Sequence, residues 1–318
     1  MSWQKKVVLI TGGAGYIGSV LVRRLLECGY KVKVLDNLDF GFEAIRDLLN
    51  NPNFELIKAN LLNVKTFTKA FKEVKWVAHL AGIRYNSSKT SEEVKDGALK
   101  DFLATQSLVT VAKDCGVKRF LFASSCSVYG VGNLLTEMSA VRPLTFYAEA
   151  KLKSEKHILT MADSNFTPVI LRLGTVYGWS MGMRFDLVLN RFVTDALESK
   201  KIIVFGGNQW RPFIHCMDVA NAFIAGFLAS EKKIQSEIFN VGSTTENYQI
   251  SQLARTIEAL IPNIDISIAQ GSGDDIGYRV DFTKFATRLS FKAKYCIRDG
   301  VREIKRVLND RRNSEKKS

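Results

Sequence analysis

Short runs of β-branched and aromatic residues alternate, over the first half of the chain, with longer segments whose apolar positions recur every three or four places. The short runs cover residues 6–11, 31–36, 54–59, 76–80, 119–124 and 169–173, and most are too continuously apolar to leave one face in water. The longer segments, among them 17–28, 64–71, 99–115 and 148–164, carry the helical period. This alternation predicts an α/β fold, a doubly wound parallel sheet with helices on both faces. Beyond about residue 175 the pattern loosens, and loops are expected at 178–182, 206–212 and 271–277. The expected division is an N-terminal domain over residues 1–174 and a smaller mixed region over 175–318. Segments near 212–241 are expected to return to the first domain.

The first strand runs into T-G-G-A-G-Y-I-G, residues 11–18. Read as Gly13-x-Gly15-x-x-Gly18 or as Gly12-x-x-Gly15-x-x-Gly18, it carries the same physics. Missing side chains allow a tight turn, close approach of a pyrophosphate and close packing of the helix that starts near Tyr16. The helix N-terminus then offers free N–H groups and a partial positive charge to phosphates. A glycine triplet alone is a weak signal, but here a strand precedes it, a helix follows it, and Asp36 ends the next strand. A carboxylate there accepts hydrogen bonds from a ribose diol and repels a 2′-phosphate, and no arginine directly follows it. A Rossmann-type domain is expected, with NAD favoured over NADP.

Tyr147 and Lys151 stand four places apart at the head of a predicted helix, so they share one face. A free phenol ionises near pH ~10, too high for a base at neutral pH. An ammonium ~4 Å away at an effective dielectric of ~20 favours the phenolate by about 4 kcal/mol, roughly three pH units. The pair is a candidate general base, although the same spacing also arises on helices that have no such role.

Composition adds limits. A chain of 318 residues can bury a large core in one domain or two, and 46% hydrophobic with 24% charged residues is ordinary for a globular protein. The net charge of +13 favours anionic ligands such as nucleotides. Lysine and arginine are spread along the chain or gathered in the terminal R-V-L-N-D-R-R-N-S-E-K-K-S, without the aromatic-interleaved basic stripe of a nucleic-acid surface. No dedicated nucleic-acid binding is expected. No apolar run approaches the ~20 residues of a membrane span, and the N-terminal apolar stretch reads as a first strand, not as a signal peptide. Cys28, Cys115, Cys126, Cys216 and Cys296 form neither a disulfide framework nor a zinc-type cluster, so a cytoplasmic protein without a bound metal is expected.

Further motifs follow in order: H-L-A-G at 79–82, S-S-C-S-V-Y-G at 124–130, Tyr147-x-x-x-Lys151, L-R-L-G-T-V-Y-G at 171–178 and R-P-F-I-H-C-M-D-V-A at 211–220. Together with the glycine turn, and with R-D-G-V-R-E-I at 298–304, they span essentially the whole chain. In order and spacing they resemble the extended short-chain dehydrogenase/reductase family, and within it the nucleotide-sugar epimerases and dehydratases. The resemblance implies that NAD is held by Gly12, Gly15, Tyr16, Ile17 and Gly18, by Asp36 and Asn37, by Asn60 and Leu61, by Leu80, Ala81 and Gly82, and by Tyr147 and Lys151. It implies Ser125, Tyr147 and Lys151 as catalytic residues, with Ser124 the neighbour to consider if the alignment slips by one. Tyr147 would take a proton from a sugar hydroxyl while hydride leaves the same carbon for the nicotinamide, and Ser125 would hydrogen-bond that oxygen. Lys151 would bind the nicotinamide ribose.

On the substrate side, Thr175 stands where 4-epimerases tend to carry an asparagine, and Arg211 matches an arginine that contacts the diphosphate. Arg84, Arg184 and Arg279 are further candidate cations. His79 and His215 read as structural, and Cys126 as a buried, inert thiol one residue out of register for acid–base work. Relatives commonly pair through two long helices, which implies a homodimer built on 99–115 and 148–164.

The chain departs from the family at several places. Asn60 replaces an acid, Val94 and Ala98 replace the asparagine and threonine of a helix motif, and Ile276 stands where an arginine is common. The 4,6-dehydratases typically have Thr-Asp-Glu where this chain has Ser125-Cys126-Ser127, and decarboxylases also use a glutamate there. Epimerisation of a nucleotide-linked sugar is the leading reading. Net oxidation or reduction of a nucleotide sugar or another small carbonyl compound is second, and a non-catalytic NAD-binding sensor or RNA-associated protein third.

Overall fold

The computed structural model describes residues 6–83, 90–269 and 277–315. Strands β1 (Val7–Thr11), β2 (Lys31–Asp36), β3 (Phe54–Lys58), β4 (Val74–His79) and β5 (Arg119–Ser125) alternate with helices α1 (Tyr16–Glu27), α2 (Val64–Phe67) and α3 (Ser91–Asp114). Strand β6 (Gly132–Leu135), helix α4 (Phe146–Thr160) and strands β7 (Thr167–Leu173) and β8 (Thr175–Tyr177) follow. After these come α5 (Val188–Glu198), β9 (Lys201–Phe205), β10 (Trp210–His215), α6 (Cys216–Leu228), α7 (Glu231–Ile234) and β11 (Glu237–Val241). The remainder is β12 (Asn247–Gln249), α8 (Ile250–Glu258), β13 (Asp265–Ala269), β14 (Tyr278–Val280), α9 (Thr283–Arg288) and α10 (Ile297–Glu315).

The main sheet has the order β11-β7-β5-β4-β1-β2-β3, and every neighbouring pair is parallel. Strand β1 is buried along its whole length because helices cover both faces. Val8 and Ile10 pack into the layer that holds Leu21 of α1 and Phe223 of α6, while Leu9 packs with Leu108 of α3 and Ile158 of α4. This Rossmann-type doubly wound sheet matches the expected fold class. The order reverses between β1 and β4, and a parallel sheet opens a ligand crevice at the carboxyl ends of its strands where that happens. Strand β11 joins the main sheet beside β7, and α6 packs against α1, although both lie well past residue 174.

The later part forms small sheets, β12-β10-β8 and β13-β9, around a separate core with Phe192, Phe213, Leu253 and Val301, while β14 pairs with β6 over a smaller cluster with Tyr129, Val280 and Phe282. The sequence pattern left these strands unassigned because each is only three to six residues long. Several boundaries also differ, among them the end of the helix expected at 148–164, which stops at Thr160. Helix α3 begins at Ser91, eight places before 99, because Thr90 and Glu93 form a capping box ahead of two polar turns. The segment 64–71 is one α-helical turn followed by a 3-10 turn, Thr68–Phe71. Strand β10 starts at Trp210, inside the loop expected at 206–212. The loop expected at 271–277 falls almost wholly outside the described residues, Ile276 included. Among the described residues, no helix is long and apolar enough to cross a membrane.

Candidate active site

Gly12 follows β1 with φ +72°, and a Cβ there would stand 2.7 Å from the Ala81 nitrogen. A Cβ at Gly18 would stand 2.1 Å from the Gly12 oxygen, so side chains at either place would push the turn off the sheet. Gly15 is the N-cap of α1 and supplies no side chain to satisfy its first N–H groups. Asp36, at the end of β2, accepts from Ala14 N–H at 3.0 Å and Leu38 N–H at 2.9 Å, one bond on each oxygen. It thereby ties the glycine turn to the neighbouring strand.

A cleft of about 910 Å³ opens over this turn. Gly12, Gly15, Tyr16, Ile17, Gly18, Asp36, Asn37, Asn60, Leu61, Leu80, Ala81 and Gly82 all line it. The Tyr16 hydroxyl points away, donating to Gly178 O at 2.7 Å and accepting from Asn190 Nδ2 at 3.1 Å. Its ring therefore anchors α1 to the loop after β8. A cradle that a Cβ would fill, an open helix N-terminus and a carboxylate on the next strand are together the features that a dinucleotide requires.

Ser125, Tyr147 and Lys151 line the same cleft. Tyr147 sits in the first turn of α4, which starts there because Thr145 Oγ1 caps the Ala148 N–H at 3.2 Å. Lys151 Nζ lies 5.7 Å from the Tyr147 ring centroid and 4.8 Å from that of Phe122. Ser125 Oγ accepts from Ser127 N–H at 3.2 Å and from Ser127 Oγ–H at 2.9 Å. Both acceptor directions of Ser125 are thus occupied, which leaves its own proton to be donated. Ser124 behaves differently: it is buried and donates to Glu155. Cys126 is buried, its Sγ lies 3.3 Å from Arg172 O, and burial pushes its thiol far above the usual range.

The substrate-side residues divide. Thr175 and Arg184 line the cleft, Arg184 paired with Asp186 through Nε and Oδ1 at 3.0 Å. Arg211 and Arg279 are not among the cleft residues. They lie on β10 and β14, with the Arg211 guanidinium 5.3 Å from the Tyr278 ring and that of Arg279 4.6 Å from the Trp210 ring. Each arginine is therefore stacked on the aromatic residue beside the other. Arg84 lies outside the described residues.

His79 and His215 are both buried and internally satisfied. Thr105 donates its own proton to Asp101 O, so His79 Nε2–H must donate to Thr105 Oγ1, at 2.9 Å, while Nδ1 accepts from Thr11 Oγ1 at 2.7 Å. Burial, with the Lys151 charge second, pushes His79 down to about 3, so it stays neutral. His215 Nδ1 accepts from Met217 N–H and its Nε2 donates to Glu303 at 2.9 Å.

Asp101 lines the cleft but belongs to none of the sequence motifs. Asp101 on α3 accepts from Ile83 N–H at 2.8 Å. A Cβ at Gly82 would lie 3.5 Å from Asp101 Oδ2 and 3.7 Å from Lys151 Nζ, so the carboxylate and the ammonium flank that glycine. The available signal was spacing: Val94 and Asp101 are seven apart on one helix and both line the cleft. Ser127 lies outside the cleft lining and reaches the site only through Ser125.

The family model of the NAD dependent epimerase/dehydratase family matches residues 8–242. A Methanocaldococcus jannaschii protein whose name, UDP-glucose 4-epimerase, is provisional is 30% identical over 98% of this chain and 100% of its own length. UDP-glucuronic acid decarboxylase 4 of Arabidopsis thaliana is also 30% identical, over 92% of this chain and 66% of its own. Among solved structures, UDP-glucuronic acid 4-epimerase of Bacillus cereus, in complex with UDP-glucuronic acid and NAD, superposes with TM-score 0.86 at 25% identity, covering 96% of this chain and 99% of that one. UDP-glucose 4-epimerase of Thermus thermophilus, in complex with NAD, gives 0.81 at 25% identity, covering 95% and 99%. The chain belongs to the NAD dependent epimerase/dehydratase family and is an NAD-dependent enzyme.

Proposed function

We propose that this enzyme is a nucleotide-sugar epimerase, with Ser125, Tyr147 and Lys151 as its catalytic residues. The observation that carries the proposal is their convergence on the glycine-cradled cleft, with an inert thiol at Cys126 and a hydroxyl at Ser127 in place of carboxylic acids. Elimination of water and decarboxylation in this family use acids at those positions, whereas epimerisation needs only a proton acceptor at one carbon. Relatives named epimerases and decarboxylases are equally similar in sequence, so the side chains and not the percentages favour this reading.

NAD, when bound, supplies reversible hydride acceptance. Tyr147 takes the proton from the sugar hydroxyl being oxidised, and Ser125, obliged to donate, holds that oxygen. Lys151 supplies positive charge beside the phenol. Thr175 and Arg184 face the sugar, and the stacked Arg211 and Arg279 suit a diphosphate, since guanidinium groups pair with phosphate oxygens in a fixed fork. A second copy of the chain is proposed to pack on α3 and α4, where Leu99, Leu103 and Phe146 are exposed.

The test is a panel of UDP-, GDP-, dTDP- and CDP-sugars with NAD, read by NMR of the products. One sugar should interconvert with its epimer without net NADH, and Tyr147→Phe should lower kcat by about 10²–10⁴-fold. Product from none of them overturns the proposal, and NADH in step with product would identify a net dehydrogenase instead.

A further inference from the structure

The helix that carries Tyr147 and Lys151 has few large side chains to hold it in place. Its buried positions up to residue 155 are Ala148, Ala150, Ser154 and Glu155, and the first large aliphatic side chain fully buried is Ile158. Small side chains make shallow ridges, which fix a helix weakly along its axis. Glu155 follows Lys151 by four places and so continues the face that Tyr147 begins.

At that point the helix is tied down by charge. The Glu155 and Arg172 side chains are 1% and 4% exposed. The carboxylate accepts from Arg172 Nε at 3.0 Å and Nη2 at 2.7 Å, and also from the hydroxyl of Ser124, the residue before Ser125. Arg172 Nη1 donates to the Tyr129 hydroxyl at 3.0 Å, Tyr129 donates to Asn240 Oδ1 at 2.7 Å, and Asn240 Nδ2 donates to Asp281 O at 3.1 Å. Ser124, Arg172 and Asn240 are register partners across β5, β7 and β11. The polar row thus crosses three strands and ends just past β14, which bears Arg279.

We propose that Glu155 and Arg172 are positioning residues that key helix α4 to the end of β5, so that Tyr147 and Ser125 address the same substrate oxygen. This rests on the catalytic reading above. Neither residue lines the cleft, and both act through the groups they hold. Stability alone is a poor reason for such a pair, because desolvation largely offsets its attraction and apolar replacements are often neutral or better. A bidentate pair supplies direction and distance, which the alanine-rich face of α4 does not.

The test uses the NAD-loaded enzyme in two variants. Glu155→Leu combined with Arg172→Met replaces the pair by apolar groups of similar size, and Ser124→Ala removes only the strand's hydroxyl link. Amide hydrogen exchange over residues 146–155 should rise about tenfold in the paired variant, with the main-sheet strands unchanged. With a sugar that the unmodified enzyme converts, kcat should fall about 10- to 100-fold and KM should stay within about threefold. Ser124→Ala should move both readings the same way by about fivefold, and it decides the matter if the paired variant does not fold. Unchanged exchange, an unchanged kcat, or a loss confined to KM overturns the proposal. If the unmodified enzyme converts no nucleotide sugar, that failure falls on the proposed activity, and the exchange measurement still judges the positioning.

Discussion

At Ser125 the chemistry turns on the direction of one hydrogen. A lone serine hydroxyl rotates freely, but two donors from Ser127 leave this one a single useful role, as a donor into the cleft. Ser127→Ala removes the hydroxyl donor and keeps the backbone one. A net hydrogen bond of about 1 kcal/mol corresponds to roughly fivefold in rate. Steady-state kinetics on Ser127→Ala should therefore show kcat reduced about fivefold with KM nearly constant, and an unchanged kcat would mean that Ser125 is oriented by something else. The glycines, Asp36, Ser125, Tyr147 and Lys151 were legible in the cleft residue by residue, because they lie in short motifs whose spacing fixes their geometry. Asp101 was not, because it lies on a helix whose cleft-facing side is set by packing against α4. Arg211 and Arg279 were legible as cations, but their stacking on Tyr278 and Trp210 depends on β10 lying next to β14.

Among the elements, α3 and α4 have the most left to explain. Both bury one side against the sheet, yet Leu99 and Leu103, four residues apart, remain 55% and 42% exposed, and Phe146 37%. Burying a side chain of that size yields about 1.5–3 kcal/mol, so a partner surface here would matter to association. Light scattering should give a dimer for the unmodified chain and a monomer for Leu103→Lys, with the circular dichroism spectrum retained. A monomeric unmodified chain would remove these helices as an interface. The first two turns of α3 escaped the sequence reading because S-E-E-V-K-D-G has no apolar period, and its start is decided by the Thr90–Glu93 box.

Over the whole molecule, the least expected titration belongs to His79, in the centre of the sheet. Its folded value of about 3 lies below the ordinary 6.5, so the native state refuses a proton that the unfolded chain accepts. The His79 contribution to stability is therefore complete above about pH 6.5 and is lost as pH falls toward 3, at about 1.4 kcal/mol per pH unit. Urea denaturation between pH 6 and 4 should show stability falling more steeply for the unmodified protein than for His79→Gln, by close to one proton. Equal slopes would show that His79 titrates normally in the folded state. The cause is burial first and the Lys151 charge second, in a site where the Thr11–His79–Thr105 chain of hydrogen bonds leaves Nδ1 facing a donor.

Local pattern alone determined the parallel sheet, the glycine cradle, the preference for NAD and the Tyr147/Lys151 face, because each depends on neighbours within a few residues or on a strand's continuous apolarity. Tertiary structure decided what depends on residues far apart in sequence. It placed Asp101 across Gly82 from Lys151, and joined Ser124, Glu155 and Arg172 beneath the catalytic helix. The reason is the same in each case: periodicity reports which side of an element is buried, and only packing determines what that side meets.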